Sequence, residues 1–125
     1  MPHTTEQQVE ISRAVAHLLG AWDVPPAQQP ALLGLDPVAD RRALNRCRFG
    51  AALPDTGDVY VRARLLLEIN AAVNQMFPHS SVAADLWVTT PRIRFGGMTP
   101  LQIMLEDGVA GMELVIDSLT GQAPF

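Results

Sequence analysis

Apolar residues recur along this chain every three or four positions, a spacing that predicts helices, and convincing alternating strands are absent. Prolines and glycines separate the segments, because proline starts a helix well and glycine ends one. The predicted helices cover residues 7–20, a short stretch around 31–33, 37–48, a long helix from 58 to the proline at 78, a short helix ending at 87, 100–107 and 109–119. The pattern therefore predicts an all-α protein.

The same spacing predicts which side chains face the core. On the long helix these are Val61, Leu65, Leu66, Ile69, Ala72, Val73 and Met76. On the helix predicted from Pro37 to Arg48, Val38 and Leu44 are expected to face inward. Trp87 ends a short helix beside a segment rich in proline and glycine, and we expect it in the core as well.

Helix-capping signals are clearest near the C-terminus. Thr99 precedes Pro100, and Gln102 stands three residues after Thr99, which predicts a capping box with proline at the first helical position. Asp107-Gly108 is expected to end that short helix, because glycine tolerates the left-handed conformation of a C-cap.

Composition narrows the class of protein. With 125 residues, 48% of them hydrophobic and 18% charged, the chain has the length of one folded domain. No apolar run approaches the roughly 20 residues of a membrane span, and the first residues lack the pattern of a signal peptide. The single cysteine, Cys47, excludes an internal disulfide and, with three scattered histidines, predicts no metal site. We therefore expect a cytoplasmic protein without membrane contact or cofactor.

The net charge of −4 hides a local basic patch. Between Pro26 and Gly50, two short helices joined by a turn at Gly34, the second of them basic, fit a helix-turn-helix. Arginine and asparagine are the side chains that recognise guanine and adenine edges in the major groove. The candidate DNA-binding residues are Arg41, Arg42, Asn45, Arg46 and Arg48. An ordinary helix pair with a solvated basic face is the alternative.

Catalysis finds no support in the sequence. The histidines His3, His17 and His79 lie far apart, and no histidine or carboxylate is spaced to act with Cys47. No phosphate-binding loop, zinc spacing or nucleophile elbow is present. We therefore expect a binding protein and not an enzyme.

A dense run of motifs between residues 84 and 119 resembles a known family. The motifs are Trp87, Thr90-Pro91, Phe95-Gly96-Gly97, Thr99-Pro100-Leu101, Asp107-Gly108 and Gly111-Met112-Glu113. In this order they resemble the toxin-binding domain of the Xre/MbcA/ParS antitoxins. Members of that family usually carry an Xre-type helix-turn-helix before this domain. Here Leu32-Leu33-Gly34-Leu35 is similar to its turn, although Cys47 stands where the family usually has tryptophan.

The resemblance implies two regions: a helix-turn-helix-like region over 1–57, and over 58–125 a small helical toxin-binding domain preceded by a long linking helix. It implies an antitoxin that sterically blocks a cognate toxin, commonly an NAD-degrading enzyme of the RES type. Promoter DNA is a second partner in the family, and dimerisation through the N-terminal part predicts a homodimer. Two alternatives stay open: a helix-turn-helix regulator without a toxin, and an orphan interaction module.

We expect the toxin to be contacted by residues of the loop before residue 100, by carboxylates and by the C-terminal tail. Exposed arginine and aromatic side chains are enriched in interface hot spots, and carboxylates suit a basic cleft that binds NAD phosphates. The predicted toxin-binding residues are Arg92, Arg94, Phe95, Met98, Glu106, Asp107, Gln122 and Phe125. Glu113 and Asp117 add to the acidic character of the same region.

Overall fold

The computed structural model describes residues 5–121, and within them it is helical without strands. The six helices are α1 (Thr5–Ala21), α2 (Gln29–Leu32), α3 (Ala43–Arg48), α4 (Val59–Met76), α5 (Ser81–Trp87) and α6 (Pro100–Thr120). A 3₁₀ turn, Ile93–Phe95, lies between α5 and α6. The all-α prediction is confirmed.

The chain divides into two compact units, one ending at Arg64 and the other beginning at Leu65, so that the division falls inside α4. In the N-terminal unit, α3 packs against α1 and α2. Its fully buried side chains include Leu19, Trp22, Leu32 and Leu33. The predicted domain boundary at residues 57 and 58 remains a prediction.

A polar cluster lies inside the N-terminal unit. The Ser12 hydroxyl donates to the Gln8 carbonyl at 2.6 Å and accepts from the Leu53 amide at 2.8 Å. The Tyr60 hydroxyl donates to the Leu53 carbonyl at 2.8 Å. These bonds satisfy buried polar groups that would otherwise destabilise the core, and they attach the loop before α4 to α1.

The helix predicted from Pro37 is much shorter than expected, because α3 begins only at Ala43. Asp36 does cap the segment: its carboxylate accepts from the amides of Val38 and Ala39 at 2.8 and 3.1 Å. However, Val38 is 73% exposed and the prediction that it faces the core was wrong. Without an inward apolar side chain to hold it, the stretch from 37 to 42 forms turns instead of a continuous helix.

On α4 the buried stripe is narrower than predicted. Leu66, Ile69 and Val73 are fully buried, as expected. Val61 is 53% exposed and Met76 is 47% exposed, so both predictions of inward orientation were wrong. Val61 stands two positions before the buried Ala63, and side chains two apart point to different sides of a helix.

Candidate interaction site

The segment between α5 and α6 is a closed loop, residues 92–98, held by its own backbone. The Arg92 amide donates to the Met98 carbonyl at 3.0 Å, and the Gly97 amide donates to the Arg92 carbonyl at 2.9 Å. Gly96 and Gly97 adopt φ values of 65° and 85°, a left-handed backbone that other residues rarely adopt. The two glycines therefore allow the chain to reverse within seven residues.

Trp87 and Arg92 fix the start of this loop. Trp87 is buried, as predicted, and the Arg92 guanidinium lies 4.8 Å from the centroid of the indole ring. The same guanidinium donates from Nη2 to the Trp87 carbonyl at 3.2 Å, while the buried Nε has no hydrogen-bond partner. Burial lowers the pKa of Arg92, and the nearby Arg94 lowers that pKa further. Arg92 is therefore an anchor of the loop.

The remaining predicted residues of the loop divide between surface and interior. Arg94 is exposed, and its Nη1 donates to the Ser118 carbonyl of α6 at 3.2 Å. Phe95 is buried, which suits a residue that holds the loop on the core, and Met98 is half-buried. Ile93, at the start of the 3₁₀ turn, is 99% exposed.

Helix α6 consists of two helical halves joined at a sharp kink. Its predicted capping box is present: the Thr99 amide donates to Gln102 Oε1 at 2.8 Å, and the Gln102 amide donates to Thr99 Oγ1 at 3.0 Å. Gly108 then leaves the helical conformation, with φ 60° and ψ −132°, where Asp107-Gly108 was expected to end a helix. At Gly111 the two halves come so close that a Cβ atom would collide with the Ile103 carbonyl oxygen.

The carboxylates of the C-terminal unit are accessible along α6. Glu106 and Asp107 are exposed just before the kink. After the kink, Glu113 is exposed and Asp117 is half-buried, four residues apart and therefore on one face. The last two predicted residues, Gln122 and Phe125, lie outside the described residues.

Three apolar side chains of this unit are more than half exposed, and the apolar pattern of the sequence did not predict them. Ile93 is one, and the others are Val82 and Leu86 of α5, which are 67% and 57% exposed. Val82 and Leu86 are four residues apart on α5, so they share a face. An apolar residue is ordinarily assigned to the core by its type. Only the orientation of the short elements reveals these three as surface residues.

The basic residues of the N-terminal unit are all at the surface, although they do not lie on one helix. Asn45, Arg46 and Arg48 are exposed on α3, whereas Arg41 and Arg42 are exposed in the turns before it. Leu44 and Cys47 of α3 are buried. Ten residues separate α2 from α3, more than the three or four of an ordinary helix-turn-helix. Of the basic recognition helix that was predicted over residues 37–48, only the second half is therefore helical.

Other site chemistry is sparse within residues 5–121. That range contains no cluster of three or more histidine, cysteine or acidic side chains able to hold a metal ion. Among the same residues, no helix is both long and apolar enough to cross a membrane. Burial raises the pKa of the Cys47 thiol, although a hydrogen bond with Ser12 opposes this.

The C-terminal unit is thus small and helical, with a loop closed by backbone hydrogen bonds before a kinked, acid-bearing helix. The family model of the antitoxin Xre/MbcA/ParS C-terminal toxin-binding domain matches residues 72–122. This segment of the chain is therefore similar to that toxin-binding domain, and the resemblance expected from the sequence is confirmed for it. The first 71 residues lie outside the match. No curated protein is significantly similar to the chain in sequence.

Proposed function

We propose that this protein is the antitoxin of a type II toxin–antitoxin system and that it blocks its toxin sterically through residues 72–122. The observation that carries the proposal is the family match, which includes the Trp87–Arg92 anchor, the closed loop and all of α6. A toxin-binding domain implies a toxin partner. Neutralisation by contact needs no catalytic residue in the antitoxin, so we expect the chain itself not to be an enzyme.

The toxin that we propose is an NAD-degrading enzyme of the RES type. The exposed carboxylates of α6 support this choice, because a site that binds the phosphates of NAD attracts anions. Glu106, Asp107 and Glu113 offer negative charge without burying it within the domain. Covering the entrance of such a site would exclude the substrate, and Gln122 and Phe125 are proposed to take part from the tail.

The direct test is co-expression with the protein encoded by the neighbouring gene. Expressed alone, that protein should deplete cellular NAD and stop growth, and the full-length chain should restore both. A truncated chain that ends at Gly57, before α4, is the control that should give no protection. The proposal fails if the neighbouring protein is harmless, or if the full-length chain leaves NAD depletion unchanged.

A second role, autoregulation of its own promoter, is favoured by the exposed arginines of the N-terminal unit. Replacing Arg41 and Arg46 with alanine should abolish promoter binding and flatten its salt dependence, since each lost phosphate contact lowers the slope by about one. Arg64→Ala is the matched control, because Arg64 is also an exposed arginine but lies on α4, outside the candidate DNA-binding residues. Unchanged binding by the double variant would exclude this surface, and no binding by the wild-type chain would exclude the regulatory role.

A homodimer and a cytoplasmic location stay predictions.

A further inference from the structure

Ile93 occupies an unusual position for an apolar residue. It lies in the closed loop 92–98, is 99% exposed, and has an arginine on either side in the sequence. Isolated apolar side chains are common on protein surfaces and usually need no explanation. Ile93 differs because both neighbouring arginines are held in place, Arg92 by stacking on Trp87 and donating to its carbonyl, and Arg94 by donating to the Ser118 carbonyl.

We infer that Ile93 is the apolar anchor with which this domain contacts its toxin, entering an apolar pocket whose rim is acidic. The inference rests on the proposed antitoxin function and adds to it the residue and the chemistry of the contact. Hot spots of interfaces are typically a few side chains that fill well-packed pockets on the partner. Arg94, which is exposed, would face the rim of that pocket, and the half-buried Arg92 would add its positive charge from the base of the loop.

Rigidity supports this role. The loop is closed by backbone hydrogen bonds between Arg92 and Met98 and between Gly97 and Arg92, and Phe95 anchors it in the core. A backbone that is already held loses little conformational entropy on binding, so that only the rotamer of the short Ile93 side chain has to be fixed. An exposed isoleucine on a mobile tail would lack this advantage.

Charge complementarity indicates what kind of pocket fits. Arg92 and Arg94 are the only lysine or arginine residues after Arg64, whereas six carboxylate side chains occur in the same part of the chain. The loop is therefore a positive site on an acidic domain. An acidic rim on the toxin would face this loop, and the basic cleft proposed above would face the carboxylates of α6, so that the two charge pairs together fix the orientation of docking.

The test measures affinity between the purified full-length chain and the purified protein encoded by the neighbouring gene. Ile93→Asp should weaken binding by about 100-fold, because it removes the anchor and opposes the acidic rim. Ile93→Ser, which adds no charge, should weaken binding by at least about tenfold, and Ile93→Leu should bind almost as the wild type does. Val82→Asp is the matched control, since Val82 is an exposed apolar residue of the same unit without flanking arginines.

Thermal stability and association kinetics separate folding from binding. The variants of Ile93 and Val82 should melt as the wild type does, because the substituted side chains are exposed. Arg94→Gln should slow association and reduce its dependence on salt, since it removes a charge at the rim, and it should also speed dissociation, because it removes the bond to the Ser118 carbonyl that helps to hold the loop.

If both Ile93→Asp and Ile93→Ser keep the affinity of the wild type, Ile93 is not the apolar anchor for the toxin. The proposed antitoxin function would be unaffected by that result. An equal loss with Val82→Asp would overturn the anchor as well, because exposed apolar surface in general would then account for binding. If the wild-type chain itself does not bind the neighbouring protein, the proposed function and the anchor both fail.

Discussion

The crossing of the two halves of α6 leads to a sharp prediction for Gly111→Ala. Gly111 is helical and has no positive φ, so alanine is compatible with its backbone conformation. In an ordinary helix this substitution stabilises by up to about 1 kcal/mol. At Gly111, however, the added Cβ would collide with the carbonyl oxygen of Ile103 and come within 3.0 Å of the Asp107 Cβ.

The expected net effect follows from the two opposing terms. Overpacking a close-packed site costs about 1–3 kcal/mol, and a collision with backbone belongs at the upper end because no rotamer change relieves it. Subtracting the helix-propensity gain of about 1 kcal/mol leaves a loss of roughly 2 kcal/mol. For a unit of this size, that loss lowers the melting temperature by roughly 8–16 °C.

Gly20→Ala provides a matched control within the same chain. Gly20 is also helical, in the last turn of α1, but its added Cβ would meet only the end of the Arg48 side chain at 3.5 Å, an ordinary contact. We expect this variant to be as stable as the wild type or slightly more stable. Urea unfolding followed by far-UV circular dichroism measures both variants, with free energies extrapolated to water. If Gly111→Ala proved as stable as Gly20→Ala, the close crossing of the α6 halves would be refuted.

Three further predictions concern the core, the tail and the buried thiol. Trp87→Ala should lose about 3–5 kcal/mol of unfolding free energy in the same urea assay, because Trp87 is buried beneath the Arg92 guanidinium; a loss below about 1 kcal/mol would contradict its core role. Deleting residues 122–125, which follow the helix-ending Gly121, should leave the circular dichroism melt nearly unchanged but impair neutralisation in co-expression; full protection by the truncated chain would exclude the tail as a plug. Cys47 should resist iodoacetamide in the folded chain, because it is buried and its pKa is raised. Because burial raises the pKa of the folded thiol, the neutral thiol contributes fully to stability below the ordinary pKa of 9.0. This contribution should be lost as the pH rises through the folded pKa. Urea unfolding curves measured over a pH series should show the loss for the wild type and not for Cys47→Ala.

Local signals in the sequence predicted the ends of the elements well. Thr99 and Gln102 form the expected capping box at the start of α6. Gly34 and Gly108 have the positive φ values expected where helices end or break. These features depend on a few neighbouring residues, so no knowledge of tertiary contacts was needed.

Predictions that depended on tertiary packing were less successful. The segment from Pro37 has a good cap at Asp36, yet it forms turns because its apolar residue, Val38, has no core to face. Ile93 is apolar and exposed, while Phe95 two positions later is buried. Periodicity cannot assign orientation within a three-residue turn. The candidate anchor was therefore visible only once the loop had been placed on the domain.

A hydrogen bond connects the loop 92–98 to α6, and it links the stability prediction for Gly111 to the proposed role of Ile93. Arg94, next to Ile93, donates to the Ser118 carbonyl in the second half of α6. The direction of that half is set by the kink at Gly108 and by the close approach at Gly111. A Gly111→Ala variant that remains folded should therefore displace Ser118, loosen the hold on Arg94 and weaken toxin binding, although residue 111 itself is buried. Weakened stability with fully retained affinity would instead show that the backbone bonds between Arg92 and Met98 and between Gly97 and Arg92 are sufficient to hold Ile93 in place.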